Sequence, residues 1–135
     1  MNEIVRVDEW LYSILHGDQA LAGVPVAAYV AKQGTAFPRI QFNFQGGSDV
    51  VAVGAIRIML TGLWQVKAIV QAESYAPAKP LADRLDALLH GKKGQVSDGG
   101  ILGCKREQPI AYVEVDSGLQ YRHLGGLYRI EVQGQ

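Results

Sequence analysis

Residues 63–91, LWQVKAIVQAESYAPAKPLADRLDALLHG, set two apolar periods back to back. From Leu63 to Ala72 the period is two. Trp64, Val66, Ala68 and Val70 share one face, while Gln65, Lys67 and Gln71 share the other with Ile69. That pattern predicts a strand with one buried face. From Leu81 the period becomes helical. Leu81, Leu85, Leu88 and Leu89 form one stripe, with Asp83, Arg84 and Asp86 opposite. Pro77 and Pro80 fit only in or before a first helical turn, and Gly91 suits the end of a helix. One continuous stretch thus supplies a sheet layer and a helix to cover it. The turn between them, Glu73 to Pro77, holds no Gly-rich cradle, His or Cys.

The flanking sequence extends this plan. Val7, Leu11, Ile14 and Leu15 predict a helix over 7–16, with Asp8 as its cap and Gly17 as its end. Asp18 can cap a short turn over 19–22, and 26–30 reads as extended. Residues 39–44 alternate strictly, with Ile40, Phe42 and Phe44 on one face. Gln45-Gly46-Gly47-Ser48-Asp49 reads as a break, 52–61 as a second strand and Gly62 as a further turn. The middle of the chain is therefore expected to be an antiparallel meander. Residues 92–100 read as a polar loop. Residues 101–108 and 110–116 read as strands parted by Pro109, and 119–124 and 127–133 as extended pieces with a bulge or tight bend at Gly125-Gly126. The expected fold is α+β: a mostly antiparallel sheet with an N-terminal helix and one long central helix packed against it. At 135 residues the chain is expected to form a single domain, 1–135.

Composition narrows the function. Lys plus Arg and Asp plus Glu balance at 13 each, which argues against a dedicated nucleic-acid binder with a basic face. The opening MNEIVRVDEW is charged where a secretory leader is apolar, so a reducing cytoplasm is the expected setting. Residues 50–70 are too often interrupted by Gly, Arg, Gln and Lys to cross a membrane as a helix. A single cysteine, Cys104, excludes a disulfide within the chain and a cysteine-based zinc site.

No HExxH, CxxC, GxSxG or Walker-type motif is present. The glycines at 99, 100 and 103 lead into a strand, whereas a phosphate loop leads into a helix N-terminus. Cys104 alternates with Leu102 in a strand and reads as structural. A small cytoplasmic enzyme using Cys104 is the alternative, although no spacing joins it to His16, His90 or His123. His16 and His90 fall at helix C-termini, where the dipole favours them. His123 reads as a surface or interface residue. Glu114 and Asp116 share a strand face that is either solvated or able to hold a cation. No catalytic, cofactor-binding or metal-ligating residue is assigned, and no cofactor is expected.

The remaining polar residues suit solvent or a subunit contact. Ile69 and Leu127 intrude on the polar face, which is either covered by another helix or met by a neighbouring subunit. Loops on a rigid scaffold present contacts best. Gln45, Ser48, Asp49, Lys92, Lys93 and Asp98 are the loop candidates for an oligomer or partner interface, and Arg57, Lys67 and Arg129 the strand candidates. Lys92, Lys93, Lys105 and Arg106 are the residues a nucleic-acid module would use.

Taken in order, VDEWLYSILHGDQALAGV, QGTAFPRIQFNF, the 63–91 stretch and YRHLGGLYRIEVQ resemble the tail terminator (tail completion) proteins of long-tailed bacteriophages. The resemblance spans nearly the whole chain except residues 45–54. It implies a structural virion protein rather than an enzyme: a homohexameric ring at the head-proximal end of the tail. Such a ring ends polymerisation of the major tail tube protein and docks to the head–tail connector protein. Viral DNA passes through its lumen without specific binding, and no membrane is involved. The implied location is the neck end of the virion tail, with assembly in the bacterial host cytoplasm. Another head–tail joining or neck protein is the neighbouring alternative.

Overall fold

A computed structural model describes residues 2–96 and 99–134. Helix α1 spans Glu3–Gly17, followed by a 3-10 turn at Gln19–Leu21. Strands β1 (Val26–Ala28), β2 (Arg39–Val51) and β3 (Arg57–Gln71) precede helix α2 (Lys79–Leu89). Strands β4 (Lys92–Val96), β5 (Gly99–Asp116) and β6 (Leu119–Gln133) complete the chain. All six strands join one curled sheet in the order β1-β2-β3-β6-β5-β4. The β1–β2 pair is parallel and the others are antiparallel.

The expected α+β fold with one long central helix is corrected. Strands dominate, α2 has 11 residues against 15 in α1, and the sheet is mixed. Helix α2 is short because Pro80 confines its start and His90 and Gly91 leave the helix four residues after Asp86.

The expected breaks are corrected too. Residues 45–49 continue β2 through a bulge between Phe44 and Gly46, and β3 runs straight through Gly62. Gly47 and Gly62 stand opposite each other in register. A Cβ on Gly62 would lie 2.5 Å from the Trp64 ring, and one on Gly47 2.6 Å from the Thr61 carbonyl oxygen. These glycines make room for close packing within strands. Gly125 does the same in β6, where a Cβ would meet the Val66 carbonyl oxygen at 2.1 Å. Pro109 lies inside β5, paired with Gly126 of β6 but beyond the stretch that β4 covers, in the edge position where a strand tolerates proline. Of the expected loop over 92–100, residues 92–96 form β4.

One face of the sheet carries Ile40, Phe42, Trp64, Val66, Ala68, Tyr128, Ile130 and Val132, all buried against the two helices. Helix α1 contributes Val7, Trp10, Leu11 and Leu15, and α2 contributes Leu85 and Leu89. Asn2, not Asp8, caps α1, accepting from the Ile4 N–H at 2.8 Å. Asp8 instead sits within the helix. Its Oδ1 accepts from the Trp64 indole at 3.1 Å and its Oδ2 from the Tyr29 hydroxyl at 2.9 Å. Asp18 makes no side-chain cap. It accepts two hydrogen bonds from Arg84, at 2.6 and 2.9 Å, and ties the 3-10 turn to α2.

Candidate interaction site

Among the described residues the other sheet face carries no helix, and its curl encloses a polar cleft of about 590 Å³. Arg39 and Gln41 come from β2, Lys67 and Ile69 from β3, His123 from β6, and Tyr112 and Glu114 from β5. The register explains the grouping: Gln41 pairs with Lys67, Ile69 with His123, and His123 with Tyr112. Side chains directly opposite in paired strands share a face. The burial of Ile69 and His123 thus comes from the sheet itself, not from a covering helix.

Lys67 is 7% exposed, and its Nζ donates to the Tyr112 hydroxyl at 2.6 Å. The same ammonium lies 5.1 Å from the Tyr112 ring centroid. Tyr112 stacks on the His123 imidazole, with centroids 4.3 Å apart. His123, expected at a surface or interface, is 5% exposed. Its Nε2 lies 3.0 Å from Glu114 Oε1, while its Nδ1 has no partner among the described residues. Burial lowers the His123 pKa, with Lys67 and Arg39 acting the same way and Glu114 opposing them. Glu114 is therefore engaged by an imidazole rather than paired with Asp116 around a cation. Arg39 lies over the Phe37 ring at 4.2 Å, and its Nε has no partner among the described residues. Tyr29 borders the cleft with a positive φ of 66°, its carbonyl accepting from the Gln41 amide at 2.6 Å.

A second surface is the tip of the β2–β3 hairpin. Strand β6 pairs with β3 from Met59 onward and the Gly134 N–H reaches the Ile58 carbonyl at 2.7 Å, so the hairpin tip over 51–57 stands beyond it. Val51, Val53 and Ile56 are exposed there, Val53 at 98%, and Ile58 is exposed beside them. Gln45, Ser48 and Asp49 are exposed along β2 just before this tip. Arg57 starts β3 and pairs with the buried Glu3 carboxylate at 3.5 Å. Among the described residues, no strand covers the outer side of β2 beyond Phe42 or of β5 beyond Cys104. The sheet thus leaves an open edge on each side.

The other candidates lie apart from these. Lys92 and Lys93 are exposed on β4, and with Lys105 and Arg129 they line a shallow depression. Arg129 forms an ion pair with Glu107 and donates to Thr61 Oγ1 at 3.2 Å. Arg106 faces elsewhere, 3.9 Å from Asp86. Asp98 lies outside the described residues. The sequence reading missed Arg39, Tyr29 and Tyr112. Period-two alternation puts Arg39 and Gln41 on one face, but only strand order brings β5 to them. Cys104 packs in the core, and burial pushes its thiol up to about 12, opposite to what a nucleophile needs.

No family model matches this chain, and no curated protein matches it in sequence. Among solved structures, one similar chain belongs to the "Virion of native gene transfer agent (GTA) particle". The likeness covers 92% of each chain at 22% identity, with a TM-score of 0.70. A second solved chain aligns over 93% of this one and 88% of its own at 16% identity, but its TM-score of 0.47 is too low to bear on the fold. The curled sheet with two short helices on one face is thus a fold shared with a chain of a gene transfer agent virion.

Proposed function

We propose that this chain is a structural virion protein of the tail terminator kind. Six copies form a ring at the head-proximal end of a tail, stop growth of the tube, and dock to the head connector. The observation that carries this reading is the fold likeness to a virion chain over nearly the whole of both molecules. The sequence resemblance to tail terminators supplies the finer role.

The surfaces support such a part. A ring is built from heterologous contacts that close on themselves, so each subunit needs two different patches. The apolar hairpin tip and the helix-free cleft are two such patches, and the two open edges offer further contact. Gln45, Ser48, Asp49 and Arg57 act on the hairpin side, and Lys67 and Arg129 on the helix-free face. Lys92 and Lys93 serve a tube- or connector-facing rim. Repeated weak contacts add up around a ring, so no single residue must be exceptional. A formal net charge of zero suits a lumen that passes DNA without holding it.

The same fold likeness also serves another head–tail joining or neck protein, and position in the particle separates the two. Native mass spectrometry of the purified protein and of isolated tails tests the ring. A species of six times 14.6 kDa is expected in at least one setting. A strict monomer in both overturns the reading.

A further inference from the structure

Lys67 is the least compensated charge on the helix-free face. It is 7% exposed, yet its one hydrogen-bond partner among the described residues is the neutral Tyr112 hydroxyl. Arg39 brings a second cation to the same cleft, with its Nε unpartnered among the described residues. The one carboxylate in the cleft lining, Glu114, is taken up by His123. A charge withdrawn from water needs an opposite charge or several hydrogen bonds. Arg39 has the Thr35 carbonyl as an acceptor at 3.4 Å and lines an adjoining depression with Glu114 and Asp116, so Lys67 is the cation of the cleft left without a carboxylate partner among the described residues. Val30, Ile69 and Val113 make part of its lining apolar. Glu114 and these apolar groups disfavour a nucleic-acid phosphate and favour a carboxylate carried on an apolar protein segment.

We propose that the Lys67 cleft receives the Asp49 carboxylate of a second copy of this chain. Between residues 44 and 58 the charged side chains are Asp49 and Arg57. Arg57 has Glu3 as its partner, while Asp49 is exposed and has no ion-pair partner among the described residues. Val51 and Val53 beyond it offer exposed apolar surface to meet Val30 and Val113. Geometry also fits a ring. Asp49 stands opposite Leu60 and so lies on the helix-bearing face, whereas the cleft opens on the other. A contact between unlike faces is heterologous and can repeat around a closed ring, unlike a two-fold contact. The inference rests on the ring reading and adds the charge pair that holds adjacent subunits.

The test measures assembly of the purified chain by sedimentation velocity and native mass spectrometry, with thermal unfolding as a folding control. Lys67→Met should leave the melting temperature unchanged or higher, because an uncompensated buried cation is removed. It should raise the concentration for half-assembly by at least about tenfold, as expected when one partner of a close interfacial charge pair is lost. Asp49→Lys, at an exposed site, should weaken assembly further by placing like charges together. In the Lys67→Met background most of that extra loss should vanish, the non-additivity of a direct contact. If wild type assembles and Lys67→Met assembles equally well, or the two changes add without coupling, the pairing is wrong and the ring stands. A lower melting temperature for Lys67→Met also overturns it. A wild type that stays monomeric, alone and on tails, removes both.

Discussion

Trp64→Phe probes the joint between the sheet and α1. The Trp64 indole is fully buried against Phe44, and its N–H reaches Asp8 Oδ1 at 3.1 Å. Hydrogen bonds to charged groups are worth roughly 1.5–3 kcal/mol, and the lower end applies because Asp8 is only half-buried and water can replace the donor. The smaller ring leaves a void costing roughly 1 kcal/mol more. The expected loss is thus about 2.5 kcal/mol, or a fall of about 10 °C in Tm for a chain of this length. Thermal and urea unfolding followed by circular dichroism measure it. Asp8→Asn is the control. Its amide oxygen still accepts from the indole, and its NH2 takes the place of the oxygen that accepts from Tyr29, while burial already disfavours the Asp8 charge, so the change should cost about 1 kcal/mol at pH 7, clearly less than Trp64→Phe. If Trp64→Phe is as mild as Asp8→Asn, the indole–carboxylate bond does not hold α1 to the sheet.

Gly125→Ala should be severe, because a Cβ 2.1 Å from the Val66 carbonyl oxygen strikes backbone that no rotamer change can clear. A loss of about 3 kcal/mol in urea unfolding is expected, at the upper end for overpacking, and a neutral result would contradict the close β3–β6 approach. His123 supplies a pH dependence. Its folded pKa is lowered, first by burial, so the unfolded chain binds the proton more readily near 6.5. Stability from this site is complete above about pH 6.5 and falls as the pH drops below it. Urea midpoints at pH 7.5 and 5.5 should differ less for His123→Gln than for wild type, and equal differences would refute the assignment.

The strongest apolar periods were legible in the sequence. Trp64, Val66, Ala68 and Val70 do face the core, and Leu85 and Leu89 are buried where the stripe placed them. Glycine and proline misled, because the same residue that breaks a strand also permits close approach within one. Gly62 reads as a turn and Gly125 as a bulge or tight bend, yet both lie in strands of 15 residues. Nothing local told the two roles apart, since the atoms crowding Gly125 belong to Val66 and Lys67 on another strand. The cleft was hidden for the same reason. Lys67 meets Tyr112 across 45 residues of sequence, with β6 lying between their strands. A lysine at an alternating polar position reads as solvated, and only the curl of the sheet buries it. Arg6 is a further case. It sits one turn before Trp10, 1% exposed, and donates to the Gln133 carbonyl, while its position in a charged N-terminus suggests solvent.

The proposed function puts a ring of this chain at the neck of a tail. Electron cryomicroscopy of the particle, with the chain placed in the map, tests it most directly. Six copies are expected, closed around the channel at the head-proximal end of the tail, each passing its β2–β3 hairpin toward the helix-free cleft of the next. Density for this chain elsewhere in the particle, in another symmetry, or absent from it would refute the six-fold neck ring.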